Sequence, residues 1–271
     1  MKYLQNLHQH SVYCDGKDTL REIVEEAILR NFDSIGFSSH SYMPFSTSKN
    51  LQPERTEAYK AEIAALKAEY AGRIDIFCGL EMEILSPCDL SGYDYLIGST
   101  HYLLIDGEYV GFDRDAATVG NIIQTYFQGD GIRYAKAYYA QVARLPEYGN
   151  FDIIGHFDLI TKHCETNDFF DTDSKTYCFA AIEAMEALQG KIPFFEVNTG
   201  AIARGYRTSA YPMPFLLREF RRLGFGAVIS SDCHDKAFLD CRFDEAADLL
   251  RECGFREKYV LTRDGFLPAQ L

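Results

Sequence analysis

Short apolar runs alternate with amphipathic helical stretches along almost the whole chain, and that alternation leaves few folds open. Candidate strands fall at 3–8, 34–38, 74–80, 94–99, 151–155, 192–197 and 225–231. Helical periodicity fills 19–30, 53–70, 115–128, 131–145, 174–189, 212–223 and 243–253. In the first helix Leu20, Ile23, Val24, Ala27 and Ile28 share one face, and Pro53 opens the second. Residues 40–52 read as a polar loop, 101–112 as a loop or irregular hairpin, and 257–262 as a closing strand. Strands separated by helices form parallel sheets, because a parallel crossover needs roughly a dozen residues or more. Seven such strands predict an α/β fold with the sheet closed into a barrel; an open doubly wound sheet is the alternative. The 271 residues suit a single barrel domain over 1–271, with no internal repeat, linker or low-complexity tract. No G-x-G-x-x-G or P-loop stands at a strand–helix junction, so nucleotide-fold fingerprints are absent.

Six of the seven histidines fall at ends of these strands, together with acidic residues. His8 and His10 end the first, His40 follows the second, Glu81 ends the third and His101 follows the fourth. His156 ends the fifth, and Asp232 and His234 end the seventh. In a parallel barrel all these ends open on one face, where such sites are built. Residues i and i+2 of a strand project to the same side, so His8 and His10 can grip one ion, and Asp232 and His234 repeat the spacing. A carboxylate such as Glu81 has two oxygens and can bridge two ions. Imidazole with carboxylate suits Zn, Mn or Fe, and no thiolate set points to a structural zinc site. Taken singly, each residue has a plainer reading: His40 as a loop residue, His101 or His156 as a hydrogen-bonded core histidine, Asp232 as a helix N-cap for 235–240. The Asp15-Gly16 pair is also a turn signal. Convergence on one face is what favours metal. Cys233, between two ligands, is expected to point away, and His163 lies outside the pattern as a structural residue.

As a set, these residues resemble the PHP superfamily (polymerase and histidinol phosphatase). His8-x-His10, Asp15-Gly16, Ser39-His40, Gly79-Leu80-Glu81, Gly98-Ser99-Thr100-His101, Gly155-His156 and Ser231-Asp232-x-His234 stand in the family's order. Gly155 to Ile160 and Glu196-Val197-Asn198-Thr199 resemble the stand-alone histidinol-phosphate phosphatases. The resemblance implies a distorted (β/α)7, TIM-like barrel with its metal site at the C-terminal ends of the strands. It implies two to three divalent transition-metal ions. His8, His10, Glu81 and Asp232 would hold the first, Glu81, His101 and His156 the second, and Asp15, His40 and His234 the third. Several relatives have His where Asp15 stands. The phosphate-binding Arg aligns with either Arg204 or Arg207, and Lys162 stands where an Arg is often expected.

The charge balance of 27 basic and 40 acidic residues, −13 net, argues against a long nucleic-acid partner but not against a local phosphate site. Three divalent ions set against Asp15, Glu81, Asp232 and one hydroxide would leave the cluster positive enough to attract a phosphate dianion. The expected activity is hydrolysis of a small phosphomonoester, L-histidinol phosphate first, by attack of a metal-bound hydroxide. A basic side chain, Arg204 ahead of Lys162 and Arg207, would hold phosphoryl oxygens, and Asp232 or His234 would relay a proton to the leaving alkoxide. Rival readings are a phosphoesterase acting on nucleotides or short oligonucleotides, a hydrolase of C–N bonds, and a non-catalytic metal-bound regulatory domain. No apolar run reaches the roughly 18 residues of a membrane span. The N-terminus lacks a signal peptide's apolar stretch, and the eight scattered cysteines are expected as reduced thiols, so a cytoplasmic location is expected.

Overall fold

The computed structural model describes residues 3–46 and 49–271; two residues of the predicted polar loop, 47 and 48, lie outside the described set. From the N-terminus the order is β1 (Gln5–Asn6), α1 (Leu20–Leu29), β2 (Ser34–His40), α2 (Pro53–Glu69), β3 (Asp75–Glu83) and β4 (Tyr95–Ser99). The hairpin β5 (Tyr102–Ile105) and β6 (Glu108–Gly111) follows, then α3 (Ala116–Phe127), α4 (Gly131–Val142) and β7 (Ile153–Ile154). The last part holds α5 (Lys175–Leu188), β8 (Phe194–Asn198), α6 (Gly200–Ala203), α7 (Pro214–Arg222), β9 (Gly226–Ser230) and α8 (Phe243–Glu252). A terminal hairpin, β10 (Glu257–Thr262) and β11 (Gly265–Gln270), ends the chain.

Helix starts follow from local chemistry. Thr19 and Glu22 form a reciprocal capping box on α1. Asp115, Asp130 and Ser174 each accept a hydrogen bond from the backbone three residues on, starting α3, α4 and α5. The apolar faces of these helices then pack outside the sheet, where stacked and edge-on aromatics dominate; Phe195 of β8 lies 4.2 Å from Phe220 of α7, ring to ring.

β1, β2, β3, β4, β7, β8 and β9 lie side by side in that order, all parallel. The sheet curls into a nearly closed, TIM-like α/β barrel, as expected. Just beyond the first and last strands, His10 N donates to Cys233 O at 2.9 Å. Asn6 and Ser231 exchange two further hydrogen bonds, of 2.8 and 3.2 Å. Leu7, Phe77, Tyr95, Ile97, Ile153 and Val228 fill the interior. The Tyr95 ring crosses the barrel and lies so close to Gly36 and Gly79 that a Cβ on either would stand 2.5 or 2.2 Å from it. Glycine is needed there because nothing larger lets the ring pass.

Three expectations change. The strands predicted at 3–8 and 151–155 shrink to two residues each, because side-chain oxygens replace ladder acceptors beyond them. Asn6 Oδ1 accepts from His8 N (3.1 Å), Ser38 Oγ from Gln9 N (3.1 Å) and Glu196 Oε1 from His156 N (2.6 Å). β3 runs past the predicted 80 to Glu83, which places Glu83 on the strand two residues beyond Glu81. Residues 257–262 do not close the barrel. β10 pairs only with β11, antiparallel, since β1 and β9 already meet. It seals the bottom instead: Leu261 packs under the interior residues, and its backbone exchanges hydrogen bonds of 2.8 and 2.7 Å with the Gln5 amide.

Candidate metal centre

The tops of the strands carry a closed ring of imidazoles. Centroids of His8, His10, His40, His101 and His156 follow one another at 5.3, 4.2, 5.4, 4.8 and, back to His8, 5.9 Å. Glu81 lies at the middle, only 1% exposed. Its Oε1 is 2.9 Å from His156 Nε2 and 3.4 Å from His101 Nε2. Its Oε2 is 2.6 Å from His40 Nδ1, 3.4 Å from His8 Nε2 and 3.7 Å from His10 Nε2. Register explains the meeting, because Glu81 pairs directly with His40 across β2 and β3. The sixth ring, His234, stacks on His10 at 4.0 Å and reaches Asp15 at 3.2 Å. Asp232 reaches His10 Nε2 at 3.0 Å. It does so from a left-handed backbone, φ 46°, a conformation costly for a non-glycine residue and frequent at functional sites. The N-cap of the turn after it is Asp235, not Asp232.

All nine expected ligands therefore converge. Their donor atoms gather as His8, His10 and Asp232; as His40, Glu81 and His101; and as His10, Asp15, His40 and His234, each set within 4.8 Å. His10 and His40 each stand between two sets, a sharing the expected grouping lacked. His156 joins through Glu81. The remaining polar contacts fit ions. Among the described residues, buried His8 Nε2, Glu81 Oε2 and Asp15 Oδ1 find no aligned hydrogen-bond partner. The opposite ring nitrogens are held: His8 Nδ1 by Glu196 (2.9 Å), His101 Nδ1 by Glu83 (3.1 Å) and His10 Nδ1 by the Cys14 thiol (3.4 Å). Fixing one nitrogen and freeing the other orients an imidazole toward a metal.

The electrostatics agree. Burial favours a neutral Glu81, yet His40, His8 and His101 outweigh it and hold the carboxyl well below its ordinary range. Burial opposes charge on His8 and His40, but Glu196 and Glu81 push the first well up, and Glu81 and Asp15 push the second to about 10. Burial, with His234 and His40 beside it, drives His10 down to about 3. Neighbouring imidazoles pushed in opposite directions cannot all carry protons. Metal ligation needs them neutral and would relieve that conflict.

Of the three basic residues, Arg204 alone reaches the cluster. It follows β8 at the end of α6, donates to Asp232 O (2.9 Å) and to Asp232 Oδ2 (3.0 Å), and keeps 32% of its side chain exposed at the mouth. Lys162 is buried and bonds Asp113 through both its backbone oxygen (2.8 Å) and its Oδ1 (2.7 Å). Arg207 is buried against Thr161, Ser209 and Glu165. His163 is buried apart from the cluster, edge-on to Tyr206, and Cys233 sits buried beside Asn6. All eight cysteines are free.

Sequence reasoning passed over Glu83 and gave Glu196 no role of its own. Glu83 stands two residues from Glu81 on the same strand, the same-face spacing that singled out His8 and His10. Glu196 was an acid inside an apolar strand. Its carboxylate takes His8 Nδ1, the His156 backbone, Asn198 and Ser230. Glu196→Gln should lower metal affinity roughly 10- to 100-fold with the fold intact, the usual cost of losing a partner behind a ligand. Competition with a chromogenic chelator measures this, and unchanged affinity would remove Glu196 from that role.

The PHP domain family model matches residues 6–200 of this chain. The chain belongs to the PHP domain family. A probable histidinol-phosphatase of Deinococcus radiodurans is 29% identical over 94% of this chain and 96% of its own. The histidinol-phosphatase of Bacillus subtilis is 27% identical over 84% and 92%. The crystal structure of Lactococcus lactis histidinol phosphate phosphatase, complexed with zinc, L-histidinol and phosphate, superposes with a TM-score of 0.72 at 23% identity, covering 97% of this chain and 98% of that one. The structural likeness covers 97% of the chain and so extends past residue 200, to the end of β9 that carries Asp232 and His234. Among the described residues, no helix is long and apolar enough to cross a membrane.

Proposed function

We propose that this chain is a metal-dependent phosphomonoesterase that hydrolyses L-histidinol phosphate to L-histidinol and phosphate. The observation that carries the reading is Glu81, buried and ringed by five imidazoles, each with a nitrogen within 3.7 Å of its carboxylate. Nearly full-length similarity to histidinol-phosphatases supports the substrate, and so does the pairing of zinc with L-histidinol and phosphate in the Lactococcus enzyme. The cofactors proposed are two to three divalent ions, Zn, Mn or Fe, held by His8, His10, Asp15, His40, Glu81, His101, His156, Asp232 and His234. Bound there, such ions supply water activated near neutral pH and positive charge for a phosphate.

The protein's own groups do the rest. Arg204 presents a planar fork at the mouth, suited to two phosphoryl oxygens at once. Its bonds to Asp232 fix where that fork sits. Asp232 and His234 stand beside it as the groups that hold and pass a proton toward the leaving alcohol. Lys162 and Arg207, committed to Asp113 and to Glu165 with Thr161, bear on phosphate only indirectly. The net charge of −13 disfavours long nucleic acid.

A substrate panel on the metal-loaded protein tests the reading. The kcat/KM for L-histidinol phosphate should exceed that for nucleoside monophosphates and phosphodiesters by about two orders of magnitude or more. That gap is well within reach of lost polar partners, which cost far more than one misplaced methylene. The reverse ranking would make the protein a nucleotide phosphoesterase.

A further inference from the structure

Beside the imidazole ring lies a cavity of about 300 Å³, at the small end of ligand pockets. Asp15, His40 and His101 form its inner wall, so it adjoins the place where a phosphoryl group would be attacked. Its other walls are the loop after β2 (Ser41, Lys49 and Asn50), the end of β3, Tyr102 of the hairpin, and the end of β6 with the segment after it. We infer that this cavity takes the leaving alcohol as a cation, with Glu83 and Asp113 as the acidic bracket that selects an ammonium-bearing substrate. The inference rests on the phosphomonoesterase reading and adds the residues that choose among phosphomonoesters.

Two independent features point to a ligand. Glu83 is 3% exposed, and its two oxygens differ. Oε2 accepts from the His101 backbone (2.6 Å) and lies 3.1 Å from His101 Nδ1. Oε1 is buried and meets no donor among the described residues, although the side chain lines the cavity. A carboxylate oxygen left so is costly unless something donates to it. Asp113 also lines the cavity, with 36% of its side chain exposed. Lys162 pins it through Oδ1 and the backbone oxygen, from a position itself buried under the Tyr206 ring. A pinned carboxylate loses little side-chain entropy when a ligand arrives.

Two cations also line the cavity. Lys49 is exposed, and Arg114 is exposed and turned to Asp115 at 2.9 Å, where water screens both. A further metal ion is a poor occupant: neither Glu83 nor Asp113 belongs to any of the gathered ligand sets. The space suits an organic group. An alkylammonium on a short chain, with an aromatic ring against Tyr102, has the required charge and shape.

The test compares L-histidinol phosphate with the same ester lacking its amino group, on wild type and Asp113→Asn. Asparagine keeps an oxygen for Lys162 and removes the charge. Wild type should prefer the amine-bearing ester about 10-fold or more in kcat/KM, and Asp113→Asn should cut that preference about 10-fold, the scale of one charged hydrogen bond. Both esters are assayed on one preparation, so the ratio is independent of the fraction folded. Glu83→Gln, read by the same ratio, is the second variant. A preference unchanged in both variants, or wild type that treats the two esters alike, would overturn the inference while the phosphatase reading stands. Wild type that hydrolyses neither ester would overturn the phosphatase reading itself.

Discussion

Glu81→Gln should lower kcat/KM for L-histidinol phosphate by about 10⁴-fold or more and remove at least one metal ion per chain. Glutamine fills the same volume, so packing at the strand tops survives. What it loses is a charge shared among His8, His10, His40, His101 and His156, all within 3.7 Å. An amide has one acceptor oxygen and a donor group that would face imidazole nitrogens. It also removes the counter-charge that holds His40 up near 10. Residues that act as one unit give losses of this size when any central member goes. His163→Ala is the control: that ring touches Tyr206 outside the cluster, and its loss should cost only a few-fold. Steady-state kinetics with metal analysis by plasma emission decide it. Equal losses in the two variants would mean that Glu81 is a structural acid.

Arg204→Ala should cut kcat/KM by about 10²- to 10³-fold with metal content unchanged. That is the usual cost of removing one strong donor aimed at developing charge. The guanidinium does not ligate; it holds Asp232 by two bonds and leaves a third of its surface at the mouth. Arg204→Lys should recover part of the loss, because a point charge returns without the fork. Arg207→Ala should behave differently, lowering the melting temperature more than the rate, since Arg207 is buried among protein partners. Wild-type kinetics in Arg204→Ala beside a large kinetic loss in Arg207→Ala would assign the phosphate to the other arginine.

Much of this was legible in sequence because a parallel barrel turns one-dimensional spacing into position. Strand ends share a face, so the placement of His8, His40, His101, His156 and His234 at run ends was enough to bring them together. Same-face spacing placed His10 with His8 and Asp232 with His234. The same rule would have found Glu83, had β3 been read past residue 80. Glu196 needed its partner: only packing shows an acid in an apolar strand sitting 2.9 Å behind His8. Asp113 and Lys162 meet from segments 49 residues apart, a pairing that no local pattern encodes. The terminal hairpin misled because β10 has a strand's pattern but uses it beneath the barrel, where Leu261 plugs the interior.

The most direct measurement is hydrolysis of L-histidinol phosphate by one preparation before chelation, after exhaustive removal of metal, and after return of Zn or Mn. Activity should fall to background on removal and return as about two to three ions bind per chain. Full activity in the metal-free protein, with its fold verified by circular dichroism, would contradict the assignment of the imidazole ring around Glu81 as a catalytic metal centre.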